Sequence, residues 1–390
     1  MNRDRLILHK SNVRDHYHIS RDKLGEGSFG IVKRATKISD GSLRALKIIP
    51  KRNQKQNTEA SVLRLLDHPN VAKLYESFED KRYDYLVLEL CEGEELLDKM
   101  IGIGQFNEAY ASSIAEQMLQ ATAHIHHKGV IHRDLKPENF VFLKDSANSP
   151  IKLIDFGLAT VKYPDAKLSS TTGNCYYIAP EVLKGDYDEK CDVWSLGVIL
   201  YTMLTGFSPF EGESEAEVLS SIEKAQVDFE AAELKDLSNE AKDLLGKLLE
   251  YDPQKRISAA EALKHKWISQ NKHPEPVCLN TEDLIQYNKS DSKEKTLMNY
   301  FALQASHEEV TEIINNFKAL DKSSNGVLSL LDIEKACSDG ELLWEDFLEL
   351  KKLACCSSEI SFTSFVAANL QKQLYQDNNF SLTELKTLNH

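Results

Sequence analysis

Apolar and polar positions alternate over residues 17–90 in runs too short for long helices. The pattern predicts strands at Tyr17–Leu24, Ile31–Thr36, Leu43–Ile49, Val71–Phe78 and Tyr83–Leu90. Ser39-Asp40-Gly41 supplies a hairpin turn, and Pro50 closes the third strand. One window breaks the alternation. Val62, Leu63, Leu65 and Leu66 have helical spacing, and His68-Pro69-Asn70 stops that helix. From about residue 94 the helical period takes over. Ala109–His127 is a long helix ended by Gly129, and two short strands follow at Phe140–Leu143 and Ile151–Ile154. Further helices are expected at Asp192–Leu204, Glu215–Lys224, Asn239–Glu250 and Ser258–Lys264. His273-Pro274-Glu275-Pro276 cannot continue a helix and reads as a linker. Beyond it, Leu297, Tyr300, Phe301 and Leu303 form an apolar stripe. Val310, Ile313, Ile314, Phe317 and Leu320 then share the first face of a helix–loop–helix over 307–336.

Charge divides the chain in the same way. The 390 residues carry 47 basic and 61 acidic side chains, a net of −14. Residues 281–390 hold 10 Lys, no Arg and 18 acidic residues, so they carry −8 of it in under a third of the length. Two domains of different character are expected, and neither nucleic acid nor an anionic membrane suits the acidic balance. Seven cysteines, Cys91, Cys175, Cys191, Cys278, Cys337, Cys355 and Cys356, include no C-x-x-C and fit a reducing compartment. Met1-Asn2-Arg3-Asp4 has neither a signal-peptide core nor the glycine needed for myristoylation. The uncharged run Val193–Phe210 is interrupted by polar residues and reads as a buried helix. A cytoplasmic monomer without a membrane anchor is the expectation.

The chemistry lies in four motifs. Gly25-Glu26-Gly27-Ser28-Phe29-Gly30 is flanked by two strands, which suits a hairpin lid over a nucleotide better than a dinucleotide fold. Lys47, in Ala45-Leu46-Lys47, sits on a strand interior, and Glu59 on the next helix is its candidate partner. His132-Arg133-Asp134-Leu135-Lys136-Pro137-Glu138-Asn139 follows, with Asp155-Phe156-Gly157 sixteen residues after Asn139. Ala179-Pro180-Glu181 and Asp192-Val193-Trp194-Ser195-Leu196-Gly197 complete the series. In this order the motifs resemble the eukaryotic protein kinases across residues 17–268.

That resemblance implies an α+β, two-lobed fold using ATP and Mg2+. Leu24, Gly25, Glu26, Gly27, Ser28, Phe29 and Gly30 would cover the phosphates. Val32, Ala45 and Val141 would sandwich adenine, with Leu88 behind it and Glu89 and Cys91 as hinge. Lys47, set by Glu59, would hold the α- and β-phosphates. Asp155 and Asn139 would offer oxygen ligands to magnesium, Asp134 would take the substrate proton, and Lys136 would stabilise the transferred group. Arg256 would pair with Glu181. Lys136, two residues after Asp134, points to Ser/Thr acceptors. Glu95, also beside the nucleotide, and Glu138 would read an Arg before the acceptor. Ser170 stands at the usual activating phosphosite, with Arg133 as phosphate partner. Three departures stand out. Only twelve residues separate Lys47 from Glu59, so the helix has lost its first turn. Asn174 replaces a Thr that bonds the catalytic Asp and Lys, and its amide is expected to substitute. Glu94 stands where Gly is common.

The tail adds a twelve-residue loop, Asp321 to Asp332. Asp321, Ser323, Asn325, Val327, Ser329 and Asp332 occupy ligand positions of an EF-hand and Gly326 its turn. Asp in place of Glu at the last position shortens one arm, so calcium affinity should fall. A second hand would begin at Leu353, with Leu353, Cys355 and Ser364 where carboxylates belong, and it should bind no metal. Asp377–Glu384 reads as a third remnant. With a kinase before it, this tail resembles that of the calcium-dependent protein kinases of plants and protists. There the junction blocks the substrate groove until calcium-loaded hands pull it away. The implied layout is an extension at 1–16, a kinase domain at 17–268, a junction at 269–306 and degenerate EF-hands at 307–390. Two alternatives stand beside a calcium-regulated Ser/Thr kinase acting on proteins near a basic residue. One is a calcium-independent relative braced by its tail, and the other is a scaffold without turnover.

Overall fold

The computed structural model describes residues 8–9, 11–27, 30–51, 58–146, 149–162, 173–224, 227–229, 231–270, 277, 279–357 and 359–370. Ser28, Phe29, Ser170, the Pro-rich linker and the third hand remnant lie outside them.

The first lobe is a sheet in the order β1-β5-β6-β4-β3-β2. Its strands are β1 (Leu8–His9), β2 (Tyr17–Gly27), β3 (Gly30–Lys37), β4 (Leu43–Pro50), β5 (Leu74–Glu79) and β6 (Tyr83–Leu88). Two details differ from the pattern reading. β1 comes from the N-terminal extension and pairs parallel to β5, Leu8 opposite Ser77, which covers an otherwise open sheet edge. β5 starts at Leu74, because Val71 is drawn into a lone bridge with Leu153. Among the described residues of this lobe the α-helix is α1 (Thr58–Leu65), eight residues long in its described part.

The second lobe is helical: α2 (Leu96–Ile103), α3 (Glu108–His127), α4 (Lys190–Thr205), α5 (Glu215–Lys224) and α6 (Asn239–Leu248). Asn107 caps α3 through the Tyr110 N–H, and Ser238 caps α6 through the Ala241 N–H. α4 takes up the long uncharged run as far as Thr205 and is buried almost throughout. A β-hairpin, β7 (Phe140–Phe142) and β8 (Ile151–Leu153), lines the cleft between the lobes.

The junction forms α7 (Thr281–Lys289) and α8 (Ser292–Gln304), separated where Asp291 starts a capping box with Glu294. The hands follow as α9 (Thr311–Leu320), β9 (Val327–Ser329), α10 (Leu330–Ser338), α11 (Trp344–Ser357), β10 (Glu359–Ser361) and α12 (Phe362–Asn369). Leu328 lies opposite Ile360 in the β9–β10 pair, so the eighth positions of the two loops face each other. The second loop is only half a loop, since α11 runs through Ser357 and makes its first five positions helical.

The tail packs across both lobes. Leu303 joins Val13, Tyr17, Ala35, Leu46, Tyr75, Phe78 and Val87 in the core of the first lobe. Lys37 reaches the Tyr300 hydroxyl at 3.4 Å, Arg44 the Gln304 side chain at 3.0 Å, and Lys73 the Ala305 carbonyl at 3.3 Å. Lys144 of the second lobe pairs with Glu308. Leu303 of the junction's apolar stripe is therefore spent on the sheet, while Met298 and Ala302 of the same helix pack on the hands.

Candidate active site

Lys47 is central to the cleft. It stands on β4 opposite Leu86 and is 6% exposed. Its ammonium lies 2.7 Å from Glu59 of α1 and 2.7 Å from Asp155. Burial works against the charged amine, but the two carboxylates outweigh it and hold Lys47 above its ordinary range. Asp155 is also partly buried, yet Lys47 and the Gly157 N–H hold it below the usual carboxylate range. Both of those donors bond to Oδ1, which leaves Oδ2 for a cation.

Asp192 organises the catalytic loop from beneath. Its Oδ2 accepts the His132 N–H at 2.8 Å and His126 Nε2 at 2.9 Å, and its Oδ1 accepts the Arg133 N–H at 2.8 Å. Arg133 is thereby held at φ 68°. Asp134 lies on the next residue, with Lys136 3.2 Å from its Oδ2. Asn139 donates its amide to the Asp134 carbonyl at 2.7 Å, which turns its own Oδ1 away. An Asp155 carboxylate oxygen and an Asn139 amide oxygen are hard donors and fit magnesium in kind. Arg133 donates to the Leu158 carbonyl from Nε at 2.8 Å and Nη2 at 2.6 Å.

Asn174 departs from expectation. Its side-chain oxygen accepts the Tyr176 N–H at 3.1 Å and does not reach the catalytic pair. Its backbone N–H instead holds Asp134 Oδ1 at 3.2 Å. The preceding Gly173 sits at φ 112° against the Arg133 carbonyl, 2.7 Å from where a Cβ would stand, so this close approach needs glycine.

Val32 on β3 pairs with Lys47, Ala45 on β4 lies opposite Leu88 of β6 in register, and Val141 lies on β7. Leu24, Gly25, Glu26 and Gly27 continue β2 to the hairpin tip, where Gly27 pairs with Gly30. Glu89 spends its N–H on the Lys73 carbonyl at 2.9 Å and its carboxylate on Lys152 at 2.9 and 3.0 Å. Cys91, two residues on, is a half-buried free thiol. The sequence reading passed over Lys152, although a lysine inside the apolar strand Ile151–Leu153 signals a buried partner. Burial drives the nearby Lys73 amine down to about 8, opposed by Glu89.

At the start of α2, Glu95 bridges to Val141. Burial, then Asp98 and Glu138, push its carboxyl above the ordinary range. Glu138 carries a buried Oε2 with no hydrogen-bond partner among the described residues. Away from the cleft, Arg256 meets Glu181 through two hydrogen bonds, at 2.5 and 3.0 Å.

In the tail loop, Asp321 accepts the Gly326 N–H at 2.7 Å and the Asn325 N–H at 3.2 Å. Burial raises Asp321 to about 6. Asp332 accepts the Ser323 N–H at 2.8 Å and both donors of Ser329, forming the capping box of α10. Asn325 turns its side-chain oxygen to the Val327 N–H at 3.1 Å. The donor set is all oxygen, which fits calcium in kind, but one of its two carboxylates also serves as a helix cap. The second hand offers no carboxylate at Leu353, Cys355 or Ser364.

The protein kinase domain family matches residues 17–268. Calcium-dependent protein kinase 5 of Plasmodium falciparum is 36% identical over 384 residues, covering 95% of this chain and 68% of that protein. Calcium-dependent protein kinase 3 of Plasmodium berghei is 37% identical over 381 residues, 94% and 69% of the two chains. Calcium-dependent protein kinase 17 of Arabidopsis thaliana is 34% identical over 374 residues, 92% and 71%. With the motif series, the cleft and likeness along nearly its whole length, the chain belongs to the calcium-dependent protein kinases and is an ATP- and Mg2+-using protein serine/threonine kinase.

Proposed function

We propose that Asp134 Oδ2 receives the proton of a substrate Ser or Thr hydroxyl while Lys47 and Lys136 hold the phosphate oxygens. Magnesium, held by Asp155 and Asn139, would neutralise charge on the phosphates. The observation that carries this reading is the Lys47 ammonium joined to both Glu59 and Asp155, which links the two lobes through one buried cation. The Gly25–Gly30 hairpin covers the phosphates, and the Glu89 carbonyl and Cys91 backbone take the adenine edge. Transfer of labelled γ-phosphate to a Ser/Thr peptide tests the reading, and no transfer with or without calcium would sink it. The free thiols Cys91, Cys175, Cys191, Cys337 and Cys355 favour a reducing, cytoplasmic setting.

Glu95 and Glu138 are the proposed receptor for a substrate Arg. A guanidinium would satisfy the bare Glu138 Oε2 and the crowded Glu95 together. Glu138→Gln is expected to raise the KM of an Arg-bearing peptide roughly 10–100-fold, the loss of one charge-assisted contact. The KM of a peptide with Ala in place of that Arg should hardly change. Equal effects on both peptides would remove the assignment.

Calcium regulation is carried to this chain by the names of its relatives and by the Asp321–Asp332 loop, which keeps two carboxylates. Calorimetry of the full chain at pH 7.5 is expected to show a single weak calcium site, with a Kd of about 10⁻⁴–10⁻³ M. At pH 5.5 the signal should shrink, because Asp321 then carries its proton. A site of submicromolar affinity, or none at all, would overturn this.

A further inference from the structure

α1 carries Glu59 near one end and is followed at the other by Leu66, Asp67 and His68, all buried. Eight residues make a rod about 12 Å long, so what holds its far end also sets Glu59. The tail holds that end from two sides. Thr363, in the first turn of α12, donates its N–H to Asp67 Oδ2 at 3.0 Å and its hydroxyl to Oδ1 at 2.7 Å. The Asp67 N–H donates in turn to His124 Nε2 of α3 at 3.1 Å. That makes Nε2 an acceptor and puts the ring proton on Nδ1, which donates to the Asn325 carbonyl at 3.2 Å. Burial pushes His124 down to about 3, so the ring stays neutral and keeps this arrangement.

Gly326 closes the contact. His68 and His124 stack 5.1 Å apart, and Gly326 lies against both. A Cβ there would overlap His124 Nδ1 and stand 2.7 Å from His68 Cδ2. His127 and Lys128 add contacts to Glu359 at 3.2 and 3.4 Å. Both hands thus meet one seat formed by the end of α1 and the C-terminal turn of α3. The second hand makes its main contact there with Thr363, although none of its first, third and last loop positions carries a carboxylate.

We infer that the metal-blind second hand is a docking element, and that Asp67 and Thr363 are positioning residues that hold the far end of α1 so that Glu59 stays on Lys47. The inference rests on the kinase reading and adds a role for the tail that needs no metal.

The test uses the full chain and steady-state kinetics with a Ser/Thr peptide. Thr363→Val, which keeps shape and loses the hydroxyl, is expected to lower kcat roughly 2- to 30-fold, the range of coupling through such networks. The peptide KM should be unchanged, and Thr363→Ser should restore kcat to within about 2-fold. In a Glu59→Gln background, Thr363→Val should lower kcat no further, because the interaction it supports is already gone. Hydrogen exchange at the amides of Leu63–Asp67 should quicken in Thr363→Val while α4 stays protected. An unchanged kcat, a failed Ser rescue, or a full additional loss in the Glu59→Gln background would overturn the inference. An active wild type with an unmoved Thr363→Val sinks this inference alone. An inactive wild type sinks the kinase reading and the inference with it.

Discussion

Asp134→Asn is expected to lower kcat about 10²–10⁴-fold, the usual contribution of a positioned general base. The substitution is nearly isosteric, and the groups that hold the residue survive it. The Asp134 carbonyl still accepts from Asn139, and Asp192 still pins the two preceding N–H groups. An amide oxygen can still take the Asn174 N–H now bonded to Oδ1. What is lost is the basic Oδ2 next to Lys136. The KM for ATP should move less than about 2-fold, since Lys47, Glu59 and Asp155 keep their mutual contacts. The melting temperature should stay within about 2 °C of wild type. Initial rates at saturating ATP decide the matter. Retention of more than a tenth of the wild-type kcat would mean that the proton leaves by another group.

The residues of this site were legible because phosphoryl transfer demands particular side chains at fixed spacings. Lys47 pairs with Asp155, Asn139 bonds the Asp134 carbonyl, and the Arg256–Glu181 pair forms as expected. Local pattern also found nearly every strand of the first lobe. It failed where the outcome depends on competition. Asn174 was expected to bond the catalytic pair, but an Asn side chain closes readily on an N–H two residues on, and here it does so with Tyr176. The second hand lost half its loop because Leu353–Ser357 contains no Gly or Asp to stop α11, and helix extension wins. The seat for the tail was out of reach altogether. It joins His68, His124, Asn325 and Thr363, which nothing in local spacing relates. Lys152 could have been found, since a charge in a three-residue apolar strand costs too much unless it is paired.

Arg256→Met is expected to destabilise the chain by about 3–5 kcal/mol, the cost of breaking one side of a buried ion pair. The Arg256 side chain is 0% exposed and that of Glu181 7%. The guanidinium meets the carboxylate edge to edge and also donates to the carbonyls of Glu250 at 2.8 Å and Lys190 at 2.8 Å. Its carbon lies 5.0 Å from the centre of the Trp194 ring. Methionine fills part of the volume but leaves Glu181 charged, buried and unpaired, with two carbonyls bare. The melting temperature of the kinase domain should fall roughly 6–20 °C for that loss. Glu181→Leu added to Arg256→Met should recover part of it, because the stranded charge goes with it. A surface pair provides the contrast. Lys247 and Asp243 approach to 2.6 Å but are 47% and 55% exposed, and Lys247→Ala should cost no more than about 1 kcal/mol. Salt separates the two cases further: 0.5 M NaCl should erase the surface pair's effect and leave the Arg256→Met deficit in place. A shift below about 2 °C for Arg256→Met, or a double variant worse than the single, would contradict the view that desolvated charge dominates at this position.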